Sequence, residues 1–331
     1  MGFLKNYSTF DFFKLVSKYT EGMIRLDGEL LKKYQSVVLS VAEDIIAVCE
    51  EENITYHLTG GSALGAVRHH GFIPWDDDID IDILSSDFDR FVEAFGKAYP
   101  EKYSIQTCRT PRYGIMINKV RLRDSVMRGK EDLDSPDCGI FVDLIRIENT
   151  FDNAVLRKIH GFFCMGMGFL LSCRNFYKNR KLMMQLLDSL AENPAFEERQ
   201  QLKETRKVFR NKIRIGRLLA FMTVRRWAIL TQWCYGLCKN GNSEYVSVPG
   251  GRNHYFGEMY RRDGFVETVP MEYEGHMWRV PKDYDGYLRH MYGDYLNVPE
   301  GDQREEHVIL ELRFPGEKSS RRADMGTSET V

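Results

Sequence analysis

The run Asp76–Leu84, DDDIDIDIL, constrains this chain more than any other stretch. From Asp78 onward acids and aliphatics alternate strictly, which is the period of a β-strand with one polar and one buried face. Such a strand sets Asp76, Asp78, Asp80 and Asp82 on one side, with successive carboxylates about 6.5–7 Å apart. Acids in such a row repel one another. A hard divalent cation removes the repulsion, because Mg²⁺ prefers carboxylate oxygens together with phosphate oxygens. The plain alternative is an edge strand whose charges are merely solvated, and a lone Asp-x-Asp carries little information.

The residues upstream add to that signal. Thr55–Leu58 is short and β-prone, Gly60-Gly61-Ser62 interrupts it, and ALGAVRHH restarts as a helix before the loop Gly71–Trp75. Gly60 and Gly61 have no side chains, so backbone N–H groups can come close to a phosphate, and Ser62 falls where a helix N-terminus presents its amides. A glycine turn at a fixed distance before an acidic strand favours phosphate and metal chemistry over a solvated edge.

Around this block the pattern predicts a helix over 30–50, with Leu31, Tyr34, Val38, Val41, Ile45 and Val48 on one face. A helix over 87–99 and strands over 115–123 and 139–147 follow. Residues 1–152 therefore read as a mixed α and β core, 153–240 as a helical subdomain, and 241–315 as an aromatic-rich return of short strands, turns and one helix. Residues 316–331 read as a disordered tail. With 43% apolar and 28% charged residues the 331-residue chain has a globular composition. Lys plus Arg number 46 against 48 Asp plus Glu, so the expectation is no nucleic-acid partner unless a local patch exists.

Seven scattered cysteines suggest a reducing, cytoplasmic setting. The start lacks the pattern of a secretory leader, and Asn6 stands where a myristoylation motif wants Ser or Thr. Gly161–Cys173 is shorter than the roughly 20 apolar residues a spanning helix needs. It reads as a buried helix or as a face resting on a membrane, flanked by Arg157, Lys158, Arg174 and Lys178. Cys234 and Cys238 lie in an apolar helical stretch without a second paired motif, so they read as packing residues and not as zinc ligands.

The block GGSALGAVRHHGFIPWDDDIDIDIL resembles the signature of the LicD family, which includes bacterial phosphocholine transferases and fukutin-type proteins. Gly60, Gly61 and Ser62 match its turn, Asp78-Ile79-Asp80 its metal pair, and Asp76 its longer acidic run. The resemblance extends loosely to 272–307, with VPKDYDGYL, YGDY and a later histidine. It implies an α+β fold of nucleotidyltransferase type: a mixed sheet flanked by helices, with a helical insertion and a C-terminal aromatic-rich segment. It also implies catalytic acids at Asp78, Asp80 and Asp143, the last in GIFVDLIRI, and Mg²⁺ or Mn²⁺ held by Asp76, Asp78, Asp80 and Asp143. Asp82 is left as a supporting acid. Gly60, Gly61, Ser62, Arg68, Lys119 and His307 are the candidate substrate-binding residues, with Arg121 beside Lys119. Surface ion pairs explain Arg68, Lys119 and Arg121 nearly as well. Tyr284, Asp285, Tyr292, Gly293 and Asp294 are further residues that can approach the site, although turn and helix packing explains each equally.

The activity implied is transfer of a phospho-alcohol such as phosphocholine from a CDP-activated donor to a cell-surface glycan or its lipid-linked precursor, as in lipopolysaccharide, teichoic acid or capsule synthesis. Enzyme placement would be cytoplasmic or peripheral at the inner face of the membrane. Two alternatives stand beside it. One is a nucleotidyltransferase that releases pyrophosphate; the other is a catalytically silent glycan-binding or scaffold protein, against which the complete acidic run weighs.

Overall fold

The structure is a computed structural model that describes residues 24–129, 135, 137–192, 199–298 and 309–322. Helix α1 (Gly28–Glu51) buries the predicted stripe from Leu31 to Val48. Each fully buried aliphatic contributes roughly 1.5–3 kcal/mol of transfer free energy. Then follow β1 (Tyr56–Leu58), α2 (Gly60–His69), β2 (Asp80–Leu84), α3 (Ser85–Ala98), β3 (Tyr103–Gln106), β4 (Asn118–Leu122), β5 (Val126–Gly129) and β6 (Phe141–Asn149). Four helices come next: α4 (Ala154–Lys178), α5 (Arg180–Glu192), α6 (Arg199–Leu218) and α7 (Val224–Tyr235). The chain returns through β7 (Tyr245–Ser247), β8 (Met259–Arg261), the hairpin β9 (Thr268–Tyr273) and β10 (His276–Pro281), and α8 (Tyr284–Tyr292). Strands β11 (Ile309–Arg313) and β12 (Arg321–Arg322) complete it.

The fold is α+β, a mixed sheet flanked by helices. The main sheet runs β1-β2-β6-β4-β3, with β7 and β8 extending from the far end of β6. Only β2 and β6 are parallel, which sets Asp80 beside Asp143 and Ile81 beside Leu144. Ile79, Ile81 and Ile83 are fully buried against α1 and α3, so the aliphatic half of the alternation anchors the strand and fixes where its acids can go.

Several expectations change. β2 begins at Asp80, and Asp76–Ile79 approaches it as irregular chain, so the strict two-residue period does not reach back to Asp76. β3 and β5 were not foreseen in the sequence. Residues 316–322, expected to be disordered, include β12, which pairs with β11 through Glu311–Arg322 and Leu312–Arg321. Residues 323–331 lie outside the described residues, as does His307. The apolar run 161–173 is the middle of a 25-residue helix. All seven cysteines are buried free thiols.

Candidate active site

Helix α2 starts hard against the acidic run. Thr59 is extended, at φ −132°, and Gly60 then takes φ +55°, a left-handed conformation that costs most residues about 1–2 kcal/mol and glycine little. A β-carbon on Gly60 would lie 3.1 Å from Asp80 Oδ2, and one on Gly61 only 2.7 Å from Asp76 Oδ2. The missing side chains are therefore required by two carboxylates that approach the positive end of the helix, where the unpaired amides and the macrodipole favour negative charge. The sequence reading reserved this room for a donor phosphate; the protein's own acids take it.

The helix start is locked from several directions. The Thr59 amide donates to Asp80 O at 3.1 Å, and the Asp80 amide donates to Ser62 Oγ at 2.9 Å. Ser62 is buried, and its hydroxyl positions Asp80. From α8, the Tyr287 hydroxyl accepts from the Gly60 amide at 2.8 Å and shares a 2.7 Å hydrogen bond with Thr59 Oγ1. Tyr287 was missed in the sequence, although Tyr284, Tyr287, Leu288 and Met291 recur at helical spacing along one face of YDGYLRHMY.

Asp76, Asp77 and Asp78 each offer a carboxylate oxygen within 4.8 Å of the others. Asp77, assigned by strand alternation to the opposite side, joins them because this stretch is not yet strand. Asp80 lies next to them, only partly exposed. Burial raises its pKa well above the ordinary carboxylate value, and the charges of Asp78, Asp143, Asp76 and Asp82 raise it further. Those same acids hold three phenols protonated: burial and then the acids push up Tyr34, Tyr273 and Tyr292. The Tyr292 hydroxyl lies 3.8 Å from the position of a Gly60 β-carbon, so of the C-terminal candidates it is the one brought to the acids.

The other candidates separate. Lys119, opposite Asp143 in the β4–β6 register, donates to Asp143 Oδ1 at 2.6 Å with both side chains largely buried. It is the counter-ion of Asp143. Arg121 is fully buried on Gln106 and the Gly139 carbonyl. Arg68 sits near the opposite end of α2 from Gly60 and donates to Tyr295 O at 2.8 Å; eight residues of helix, about 12 Å, separate the two. Asp285 is held by Arg289 and Tyr295, and Asp294 by Asn297.

Behind the site lies a second titratable group. His57 and Asp82 face each other across β1 and β2, with Nε2 4.0 Å from Oδ2, and neither has a hydrogen-bond partner at those atoms among the described residues. Burial lowers His57 to about 4 and raises Asp82. Glu258, raised by burial to about 7, accepts from the Asn253 amide at 2.7 Å.

Clustered carboxylates of this kind suit a hard divalent cation. Four features fit one: three acids converging within 4.8 Å, a fourth whose charge couples to theirs, a fifth in register with the fourth, and glycines that make room for two.

Residues 53–133 match the nucleotidyltransferase domain described as LicD/FKTN/FKRP. Over 77 residues the chain is 42% identical to the lipopolysaccharide cholinephosphotransferase LicD of Haemophilus influenzae, covering 23% of this chain and 29% of that one. Over 46 residues it is 46% identical to the ribitol 5-phosphate transferase FKRP of mouse and of human, covering 14% of this chain and 9% of theirs. The chain thus spans less than a third of the length of these relatives.

Proposed function

We propose that this chain, whose residues 53–133 match the LicD/FKTN/FKRP nucleotidyltransferase domain, transfers a phospho-alcohol group, phosphocholine-like, from a CDP-activated donor to a hydroxyl of a cell-surface glycan or its lipid-linked precursor. The observation that carries this reading is the approach of Asp76 and Asp80 to the first turn of α2, with Asp77 and Asp78 clustered on Asp76 and Asp143 beside Asp80. Scattered surface acids would not need two glycines to admit them.

These five acids are the residues that would hold Mg²⁺ or Mn²⁺. Bound there, the ion neutralises charge on the donor's phosphates. The chain's own groups do the positioning. Tyr287 pins Thr59 and Gly60, Ser62 fixes Asp80, and Lys119 holds Asp143, so the acids meet a donor without rearranging. Tyr34 and Tyr273, buried beside the cluster, stay protonated, and the Tyr292 hydroxyl reaches the start of α2. A carboxylate of this cluster is the proposed acceptor of the proton released by the attacking hydroxyl.

The test is product analysis. Purified chain is incubated with CDP-choline, CDP-glycerol or CDP-ribitol and a glycan acceptor, in Mg²⁺ or in EDTA. Metal-dependent CMP release is the expected outcome. Pyrophosphate release from a nucleoside triphosphate would favour nucleotidyl transfer, and no turnover or cation binding with any donor would favour a silent scaffold.

A further inference from the structure

The four-helix insertion uses an unusual distribution of charge and apolar surface. Residues 153–240 hold 17 Lys and Arg against 5 Asp and Glu, although the whole chain carries 46 against 48. The local basic patch that overall composition concealed is here. Much of it lies on α6, where Lys203, Lys207, Arg210, Arg214 and Arg217 are all exposed, and Arg225 and Arg226 continue it onto α7.

The apolar surface is equally one-sided. On α4, His160, Cys164, Met167 and Leu171 are buried and the helix packs on α6 and α7. Its other face presents Val155, Leu156, Ile159, Phe162, Phe163 and Phe169, with Phe162 68% exposed. Trp233 on α7 is 61% exposed, and Leu218 and Phe221 are bare at the turn between α6 and α7. A helix of this length and hydropathy has the dimensions to span a bilayer. Its buried stripe is already committed to neighbouring helices, however, so it presents one side only, the arrangement of a helix lying in an interface.

We propose that this insertion is a docking surface for an anionic phospholipid bilayer, with the α4 and α7 aromatics entering the headgroup boundary and the α6 and α7 cations meeting lipid phosphates. Charge complementarity selects this occupant. Basic surface with exposed aromatics would also suit single-stranded RNA, but the aliphatic share of this surface, Val155, Leu156, Ile159 and Leu218, offers bases nothing to stack on, whereas bilayer attachment uses all three kinds of side chain. The inference does not rest on the proposed reaction. The surface is nevertheless linked to the acids: Phe162 packs edge-on against Phe256 at 5.2 Å, the next carbonyl, Gly257 O, meets His290 Nε2 at 2.7 Å, and Tyr292 follows one residue beyond Met291 at Gly60. A docked molecule would hold its acidic site close to lipid.

The experiment is co-sedimentation of the full chain with vesicles of phosphatidylcholine alone or mixed equally with phosphatidylglycerol. Binding is expected to the mixed vesicles only and to weaken with salt. Phe162→Glu with Trp233→Glu, and separately Lys207→Glu with Arg210→Glu, are each expected to lower partition by about tenfold or more. These side chains are exposed, so melting curves verify the fold, and Phe162→Ser with Trp233→Ser replaces the first pair if it unfolds. Partition unchanged by either pair overturns the proposal. So does retention on RNA without vesicle binding, or a dimer closed by this face that persists on vesicles.

Discussion

Replacing Asp78 with Asn should make the metal-free protein more stable while removing its activity. Asp76, Asp77 and Asp78 bring oxygens within 4.8 Å of one another. Two unit charges at that distance repel by about 0.9 kcal/mol in water and about 3.5 kcal/mol at an effective dielectric of 20. Asp78→Asn removes two of the three pairings and keeps the shape and most of the hydrogen bonding. The gross relief is about 2–7 kcal/mol on that scale, and the half-exposed positions of Asp76 and Asp78 bring the net to roughly 1–2 kcal/mol. In a chain of this size that is a rise in Tm of about 1.5–3 °C, read in EDTA by differential scanning fluorimetry. Titrating Mg²⁺ should then reverse the order. Wild type gains about 2.7 kcal/mol at a hundred times its Kd, and the variant gains little, so the two curves cross. A variant that melts at or below wild type in EDTA would refute the premise that these acids strain one another.

Lys119→Met should cost on the order of 3–5 kcal/mol by leaving Asp143 buried without its counter-ion. Adding Asp143→Asn should recover most of it in urea melts, and strictly additive losses would count against the pairing. Tyr287→Phe leaves the Gly60 amide without its partner, an expected loss of about 1–3 kcal/mol with a fall in turnover; unchanged kinetics would separate the helix start from catalysis. Glu258 is raised in the folded protein from 4.5 to about 7. The native state therefore keeps a proton that the unfolded chain releases between those values, and stability declines as pH climbs through that window, by on the order of 3 kcal/mol. Glu258→Gln should flatten that decline in urea midpoints taken from pH 5 to 8; an unaltered slope would assign it to other groups.

How much of this was legible depended on how far each inference reached along the chain. Period-two alternation located β2 and aimed Asp80, because Ile81 and Ile83 leave the strand no other register. Asp143 was legible from its place in a second apolar strand and lands in register beside Asp80. Asp77 was not, since its direction is set by irregular chain that no periodicity governs. Ser62, Arg68 and Lys119 lie on or beside the right elements, but their functional groups are claimed by Asp80, Tyr295 and Asp143, partners 18 to 227 residues away. The exposed face of α4 was read mainly as core, because an apolar helix looks the same from its sequence whether or not neighbours cover it.

The pairing of β6 with β7 has a further consequence. Glu148 faces Ser247 and Asn149 faces Val246, so the backbone departs into the helices and comes back at two points no farther apart than adjacent strands, about 5 Å. Nothing in the sheet records how long that excursion is or what it contains. The detour can therefore differ in length or surface chemistry while the sheet keeps Asp80 and Asp143 in register.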